Sequence, residues 1–371
     1  MEDIRKLPIM SKRVFRQYSL EEAMRKGFPK RYYVWNQTSG STGEPFRFAY
    51  SSLASCLDDL AYFYSNRYRA LVWRGTAFKE IKTRMSFAQI GINYHPRPNF
   101  LFIHAKDLRD SPGEVMNRLA NFKPDVLESL PTLLLELARL KEKLFYKRDF
   151  SVRHIFSYGE VLTSSQRRFL EKIFGAAVYD RYGSEEFGNF ATECCEHKGF
   201  HINEESVFIE ILDEEDRALP AGKSGRIVVT AFYNDVMPFV RYDLGDRGFI
   251  SEDACPCGVA ARRIFVEGRA GGALEFEGRH FPYLELQMAS ANNFSDDILR
   301  YQFAKINPDE LEIRIVPCGE FSSEKITRLE NLFKNIFGLN VKAKVVNAIG
   351  YTARGKTPVV VDESAGRIMN P

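Results

Sequence analysis

The chain has 371 residues, which is long for one compact core and predicts two or three domains. Hydrophobic residues make up 44% of it and charged residues 27%, an ordinary globular composition. The net charge of +3 is spread along the sequence, which argues against a nucleic-acid-binding face.

The N-terminus is charged and lacks the apolar core of a signal peptide, and no apolar run is long enough to span a bilayer. The cysteines are clustered, unlike an extracellular disulfide framework. They stand at Cys56, Cys194, Cys195, Cys255, Cys257 and Cys318. We therefore expect a cytoplasmic protein that has neither a membrane partner nor a nucleic-acid partner.

A loop rich in glycine and hydroxyl residues follows the aromatic, strand-like run that ends at Trp35. Such a sequence predicts a strand that ends in a flexible turn. Glycines allow close backbone approach, and successive N–H groups with hydroxyls can surround phosphate oxygens. No Gly-Lys-Ser/Thr follows, so the loop is not a Walker A motif, and a plain surface loop is the alternative. It reads Thr38-Ser39-Gly40-Ser41-Thr42-Gly43-Glu44-Pro45.

Beyond this loop the sequence alternates between helix and strand signals. They are a helix at 54–68, a capping box at 111–114, a leucine-striped helix from Pro131, a strand at 154–156, a second capping box at 163–166 and a strand at 177–179. This alternation predicts a parallel sheet covered by helices. Ligands of such sheets bind beyond the carboxyl ends of the strands.

After about residue 203 the pattern changes to strands, and the last hundred residues predict a small α+β domain. The backbone freedom of Ala270-Gly271-Gly272 indicates a hinge. We expect a large domain at 1–269, whose β-rich part covers about 203–267, and a small C-terminal domain at 270–371. The small domain would act as a mobile lid whose orientation selects the reaction step.

Five short stretches, in the right order, resemble motifs of the acyl-adenylate-forming superfamily, which includes acyl-CoA synthetases, adenylation domains and luciferases. They are the loop at 38–45, Tyr182-Gly183-Ser184-Glu185-Glu186, Arg241-Tyr242-Asp243-Leu244-Gly245-Asp246, Gly268-Arg269 and Arg354-Gly355-Lys356. The sequence is most similar to phenylacetate–CoA ligases and to their capsule-biosynthesis and deazaflavin-adenylating relatives. That similarity rests on Leu7-Pro8, residues 124–127, residues 199–203 and Cys255-Pro256-Cys257-Gly258.

The resemblance implies the adenylate-forming α/β fold: a large N-terminal domain of helix-covered sheets with a β-rich subdomain, and a small α+β lid. It implies that a small carboxylate, for which an aromatic acid is one expectation, attacks the α-phosphate of ATP and gives an acyl-adenylate and pyrophosphate. A thiol would then displace AMP. That thiol would be coenzyme A or the phosphopantetheine of a carrier protein, and a homodimer is a further expectation.

The resemblance also assigns site residues. Lys356 would stabilise charge that builds on the carboxylate and the α-phosphate, and Glu186 would bind Mg²⁺, with Glu185 as the alternative ligand. Asp246 would accept both ribose hydroxyls, and Arg269 offers donors to ribose and phosphate oxygens. The alternatives are a surface turn for Asp246 and an exposed salt bridge for Arg269. The predicted nucleotide-binding residues are Thr38, Ser39, Gly40, Ser41, Thr42, Gly43, Gly159, Glu160, Tyr182, Gly183, Asp246 and Arg269.

A separate group of residues has the composition of a structural zinc site. It consists of Cys194, His201, Cys255 and Cys257. Cys195 and His197 are possible substitutes, and free thiols are the alternative to a metal site. Similar cysteines accompany zinc in relatives of this branch, which favours a zinc ion that ties the loop after Glu186 to the loop after Asp246.

Three functions remain open at this point. The first is an ATP-dependent ligase that makes a thioester through an acyl-adenylate. The second is an adenylyltransferase that passes AMP to a cofactor or another hydroxyl acceptor and needs no thiol. The third is a nucleotide-binding protein without turnover, against which Lys356 argues because binding alone would not require that lysine.

The assignment of Lys356 can be tested by the substitution Lys356→Ala. We expect adenylation, measured as pyrophosphate exchange, to fall by on the order of 10² to 10³, as when one transition-state donor is removed. The dissociation constant of ATP should change little. Exchange within a few-fold of the wild type would show that Lys356 does not have this role.

Overall fold

The protein is described by a computed structural model over residues 3–38, 46–51, 85–91, 99–143, 150–269, 273–276, 279–282, 286, 297–350 and 358–364. Several predicted features lie outside these residues. They are the loop residues Ser39, Gly40, Ser41, Thr42 and Gly43, the helix at 54–68, the hinge at 270–272 and Lys356.

The described residues form helices and strands that we number in chain order. The helices are α1 Lys12–Phe15, α2 Leu20–Ala23, α3 Ala105–Asp110, α4 Pro112–Phe122, α5 Pro131–Lys143, α6 Ser164–Phe174 and α7 Ser323–Phe337. The strands are β1 Tyr33–Gln37, β2 Arg47–Ser51, β3 Phe87–Gly91, β4 Phe100–His104, β5 Val126–Ser129, β6 His154–Tyr158, β7 Ala177–Ser184, β8 Gly188–Glu193, β9 Phe200–Ile202, β10 Val207–Leu212, β11 Gly225–Ala231, β12 Tyr242–Ser251, β13 Arg263–Arg269, β14 Ala273–Phe276, β15 Arg279–Pro282, β16 Ile298–Asn307, β17 Glu310–Pro317, β18 Asn340–Val345 and β19 Val360–Asp362.

The chain divides into two compact units. The first unit comprises Met1–Thr83 and Tyr179–Ala270, and the second comprises Arg84–Val178 and Gly271–Pro371. Each unit is therefore built from two separate stretches of the sequence. The predicted domain boundary near residue 270 stays a prediction.

In the first unit an antiparallel sheet runs in the order β10-β11-β12-β13-β9-β8-β7. This arrangement confirms the predicted change to strands after residue 203. Strands β1 and β2 pair separately as a two-stranded antiparallel sheet. Phe15, Phe239 and Tyr242 pack ring against ring in the core, with centroids 5.1 to 5.9 Å apart. The short helix α1 thus contributes Phe15 to the core of a sheet that is formed by distant sequence.

In the second unit, strands β6, β5, β3 and β4 lie side by side in that order, and the described pairs among them are parallel. Helices α4, α5 and α6 share a buried apolar core with residues of these strands, among them Ile90, Leu127 and Ile155. Parallel strands joined through helices bury such faces because the crossovers place helices against the sheet. The predicted helix-covered parallel sheet is confirmed.

The C-terminal part of the second unit is the predicted small α+β body, with strands in the order β18-β17-β16-β19 and helix α7 packed on them. Helix α6 holds the beginning of β16 through two hydrogen bonds. Ser165 Oγ donates to the carbonyl oxygen of Ile298 at 2.7 Å, and Gln166 Nε2 donates to that of Leu299 at 2.6 Å. The expected mobility of this body stays a prediction.

The two predicted capping boxes differ in outcome. At α6 the box is confirmed, because Thr163 and Gln166 exchange both side-chain-to-backbone hydrogen bonds. At α4 the prediction is wrong: the helix begins at Pro112, but the side chain of Ser111 makes no capping hydrogen bond. Ser111 also ends α3, and its N–H donates to Asp107. The ψ angle of Ser111 is 55°, which lies outside the extended conformation that is typical of an N-cap residue.

None of the helices among the described residues combines the length and the apolar character that a membrane crossing requires.

Residues 3–12, which we call the N-terminal arm, are held in place by the buried residue Arg241. Its Nη1 donates to the carbonyl oxygens of Arg5 and Leu7, both at 2.7 Å. Its Nε donates to Glu210 at 3.1 Å, and both side chains of this ion pair are buried. Met10 adds two backbone hydrogen bonds, each of 2.8 Å. Its N–H donates to the carbonyl oxygen of Arg241, and its carbonyl oxygen accepts from the N–H of Asp243.

The stability of the first unit should depend on this buried arginine. We expect Arg241→Met to cost about 3–5 kcal/mol of unfolding free energy, because Glu210 would remain buried without its main charge partner. Chemical denaturation followed by tryptophan fluorescence measures the change. The control is Arg217→Met, which removes ion pairs from an arginine whose side chain is 72% exposed and should leave the denaturation midpoint almost unchanged. Equal midpoints for both variants would contradict this expectation.

Candidate functional site

Asp246 and Arg269 face each other across strands β12 and β13. They are directly opposed in the antiparallel register, which places their side chains on the same face of the sheet. Arg269 Nε lies 3.0 Å from Asp246 Oδ1, and Arg269 Nη1 donates to the carbonyl oxygen of Leu244 at 3.0 Å. Asp246 lies inside a strand and its side chain is 13% exposed, so it does not belong to a surface turn.

Tyr182 completes this group, because its hydroxyl donates to Asp246 Oδ2 at 2.8 Å. Burial raises the pKa of Asp246, while the Arg269 guanidinium and the Tyr182 hydrogen bond act in the opposite direction. Each carboxylate oxygen accepts one bond and has a second lone pair left for another donor. The rings of Tyr182 and Phe190 pack nearly perpendicular to each other with centroids 5.1 Å apart, so part of the Tyr182 side chain packs against the core.

Glu186 lies in the same unit at the end of the predicted motif and is buried. Its Oε1 accepts a hydrogen bond of 2.9 Å from the hydroxyl of Tyr242 and lies 3.4 Å from the ammonium nitrogen of Lys12. Burial raises the pKa of the phenols of Tyr182 and Tyr242, so both remain protonated donors at neutral pH. Glu185, the alternative metal ligand, is exposed and accepts a bond from Asn36 Nδ2 at 3.4 Å.

Two glycines near these carboxylates have clear structural reasons. At Gly183, a Cβ atom would lie 2.1 Å from the carbonyl oxygen of Gly188, so no other residue fits between β7 and β8. Gly245 has φ of +75°, a conformation that glycine adopts at little cost, and its N–H donates to Asp243 Oδ1 at 2.8 Å. The motif glycines thus set the backbone path that presents Tyr182 and Asp246.

The remaining predicted residues are in different places. Thr38 closes the base of the glycine-rich loop, since its N–H donates to the carbonyl oxygen of Phe46 and its Oγ1 accepts from Phe46 N–H, at 2.9 and 3.1 Å. Gly159 and Glu160 belong to the second unit, where Glu160 Oε2 accepts a 3.1 Å bond from Thr132 N–H in the first turn of α5. A carboxylate at that helix end is stabilised by the helix dipole. Their nucleotide-binding role stays a prediction.

The structure brings the four predicted zinc ligands together. Cys194, His201, Cys255 and Cys257 are buried, and their ligand atoms all lie within 4.8 Å of one another. Cys194 Sγ is 3.7 Å from Cys255 Sγ, and Cys257 Sγ is 3.5 Å from His201 Nε2. A tetrahedral zinc ion with bonds of about 2.3 Å to sulfur and about 2.0 Å to nitrogen would separate these atom pairs by about 3.8 and about 3.5 Å. The donor set therefore fits zinc.

The protonation of this cluster also suits a metal. Burial lowers the pKa of His201 to about 4, with Arg263 adding to the shift, so the imidazole is neutral at neutral pH and can ligate. Burial raises the pKa of the Cys194 thiol to about 12, and a bound cation would oppose that shift by stabilising the thiolate. The possible substitutes are elsewhere: Cys195 is exposed, and His197 Nδ1 lies 3.3 Å from Glu193 Oε2.

Sequence reasoning missed two residues of the site around Glu186. Tyr242 stands inside the recognised motif, four residues before Asp246, but no role of its own was predicted for it from the sequence. Lys12 follows the Leu7-Pro8 stretch, and nothing in local sequence indicates that it reaches Glu186. Its contact depends on the long-range pairing of Met10 with Tyr242.

Comparison with known proteins shows what part of the chain is similar to. Residues 99–233 match the family model described as AMP-binding enzyme, a stretch that contains Tyr182 and Glu186. Together with the fold, this match confirms the predicted resemblance to adenylate-forming enzymes.

Two curated relatives each match a part of the chain. The chain is 30% identical to the phenylacetate-coenzyme A ligase of Thermus thermophilus over 166 residues, which is 43% of this chain and 37% of that protein. It is 25% identical to protein CapK of Staphylococcus aureus over 248 residues, which is 65% of this chain and 53% of that protein. The chain thus spans about half or less of the length of these relatives.

Solved structures share the fold at low sequence identity. A 2-hydroxyisobutyryl-CoA ligase in the postadenylation state, in complex with 2-HIB-AMP, superposes with a TM-score of 0.73 at 18% identity, covering 99% of this chain and 82% of that chain. An anthranilate CoA ligase in complex with anthranoyl-AMP gives 0.59 at 15% identity, covering 87% and 65%. The predicted adenylate-forming α/β fold is therefore confirmed.

The candidate zinc site can be tested without a measurement of activity. We expect freshly purified protein to contain about one zinc ion per chain, since the four ligands fit a closed structural site. Cys255→Ser should abolish zinc and lower the melting temperature, and a chelator should do the same to the wild type. Cys195→Ser is the matched control because that neighbouring thiol is exposed, and it should retain both zinc and stability. Elemental analysis that finds no zinc in the wild type would reject the site.

Proposed function

We propose that this protein activates a carboxylic acid with ATP, forming an acyl-adenylate and pyrophosphate, and then transfers the acyl group to a thiol with release of AMP. Coenzyme A is the proposed acceptor, and the phosphopantetheine of a carrier protein is the alternative thiol. The name of one relative, phenylacetate-coenzyme A ligase, favours an aromatic acid as substrate.

The observation that carries the proposal is the pair of carboxylates in the first unit. Asp246 is fixed on both oxygens by Tyr182 and Arg269 and still has acceptor capacity on each, which suits two ribose hydroxyls. A carboxylate that is held in position before binding loses little conformational freedom when the nucleotide arrives. Arg269 is 41% exposed, which leaves guanidinium N–H groups accessible to ribose or phosphate oxygens.

Glu186 is the proposed ligand for Mg²⁺. Among the described residues, every hydrogen bond and ion pair of this carboxylate ends on Oε1, which leaves Oε2 as an acceptor for a hard cation. Magnesium would neutralise charge on the phosphates of ATP. Tyr242 orients the carboxylate, and its protonated hydroxyl cannot compete with it as an anionic ligand.

The remaining roles are proposed from the sequence. The glycine-rich loop that Thr38 closes would surround the phosphates, and Gly159 and Glu160 would contribute to the nucleotide site. Lys356 would stabilise the adenylation transition state from a lid hinged near residue 270. The four-ligand zinc site would be structural, and the clustered cysteines of the sequence favour a cytoplasmic location.

An adenylyltransferase that passes AMP to a hydroxyl acceptor is the alternative. The same first step and the same carboxylates would serve it, so geometry in the first unit does not separate the two. Consumption of coenzyme A does. A thioester product identified by mass spectrometry favours the ligase, whereas exchange activity with no thioester under any thiol favours the transferase.

The test is ATP–pyrophosphate exchange across a panel of aryl and alkyl carboxylic acids. We expect exchange with at least one aromatic acid, and Asp246→Asn should weaken ATP binding by about 1.5–3 kcal/mol, the range for hydrogen bonds to a charged group. Asn keeps the size of Asp246 and so limits structural damage. Asp216→Asn, on an exposed turn of the same unit, is the control. An unchanged ATP dissociation constant for Asp246→Asn would refute the ribose assignment.

A further inference from the structure

Lys12 is the first residue of α1, and its side chain reaches the buried carboxylate of Glu186. The Lys12 nitrogen lies 3.4 Å from Glu186 Oε1, and the two side chains are 26% and 3% exposed. In contrast, the arm residue Lys6 pairs with Asp3 on the surface with its side chain 77% exposed. The geometry of Lys12 is thus that of a partly desolvated cation and differs from that of a solvated surface lysine.

The position of Lys12 is fixed by contacts on both sides of it. Upstream, Arg241 donates hydrogen bonds to the carbonyl oxygens of Arg5 and Leu7. Met10 forms backbone hydrogen bonds with Arg241 and with Asp243 of β12. Downstream, Ser11 caps α1 by accepting a bond from Val14 N–H. The arm therefore brings its lysine to a defined place next to strand β12, which carries Tyr242 and Asp246.

Lys12 has donor capacity beyond its contact with Glu186. Its ammonium carries three donors, of which the contact with Glu186 uses one. Burial raises the pKa of Asp246, and the charge of Lys12 opposes that shift, behind the larger effects of Arg269 and of the Tyr182 hydrogen bond. Lys12 approaches Glu186 through Oε1, the oxygen that Tyr242 also binds, and not through the oxygen left for a metal.

We propose that Lys12 is a nucleotide-binding residue of the site: it holds Glu186 through Oε1 and donates its remaining N–H groups to the phosphate oxygens of ATP. This inference rests on the proposed function, because it takes the phosphates to lie where a metal on Glu186 would bind them. An ammonium next to a polyphosphate is a common arrangement, since lysine acts there as a point charge. The N-terminal arm would then be a part of the nucleotide site.

The competing explanation is a structural ion pair that only attaches the arm. The two explanations differ in what they predict for ligands with and without phosphates. A phosphate-binding lysine affects ATP and leaves adenosine unaffected, because adenosine retains the ribose contact to Asp246 and has no phosphate. An ion pair that only holds the fold in place would affect both ligands alike.

The experiment measures binding of ATP with Mg²⁺ by calorimetry and binding of adenosine by ligand-observed NMR, using the full chain. We expect Lys12→Met to weaken ATP binding at least tenfold, or about 1.4 kcal/mol, and to change adenosine binding less than twofold. Lys12→Arg should lose less than threefold because it keeps the charge. Lys6→Met is the matched control on the same arm and should bind both ligands like the wild type.

The outcomes separate the inference from the proposed function. A wild type that does not bind ATP would refute the proposed function itself. A wild type that binds ATP, with Lys12→Met unchanged or with ATP and adenosine weakened equally, would overturn only the role of Lys12. If Lys12→Met fails to fold by circular dichroism, Lys12→Gln takes its place, since it keeps a hydrogen-bond donor but loses the charge, and the same tenfold criterion applies.

Discussion

The antiparallel pairing of β12 with β13 is the constraint on which both candidate sites depend. At one end of this hairpin the register places Asp246 opposite Arg269. At the other end, the connecting turn carries Cys255 and Cys257 to His201, whose own strand β9 pairs with β13. A slip of one residue in this register would place Asp246 and Arg269 on opposite faces of the sheet, because side chains alternate along a strand. The two sites are therefore coupled through one piece of secondary structure.

Buried charge follows a consistent pattern in the first unit. Glu210 forms an ion pair with Arg241, which also binds the N-terminal arm. Asp246 forms an ion pair with Arg269 and accepts a hydrogen bond from Tyr182. Unpaired charges would be costly in such surroundings, so each carboxylate has a cation or a hydroxyl in contact with it. Glu186 differs because its two partners share one oxygen. That asymmetry distinguishes a carboxylate with spare acceptor capacity from one that only stabilises the fold.

Much of the fold was predictable from local signals. The described part of the last hundred residues forms the predicted α+β body, and the box at Thr163 forms because this residue is extended and can cap α6. The box at Ser111 failed because two helices meet at that residue, a condition that short motifs do not encode. In the site, Asp246 and the four zinc ligands could be recognised by residue type and order. Lys12 could not be recognised in this way, since its position depends on the pairing of Met10 with Tyr242, which are more than two hundred positions apart.

That same pairing has a consequence for synthesis of the chain. The arm reaches its place only when Arg241 and Tyr242 have left the ribosome, some 230 residues after Met10. At translation rates of roughly 5–20 residues per second, this takes on the order of ten to fifty seconds. During that interval Phe15 has Phe46 as a ring partner but lacks Phe239 and Tyr242. Part of the apolar surface of the nascent N-terminus therefore stays uncovered for longer than that of a segment that folds from local contacts alone.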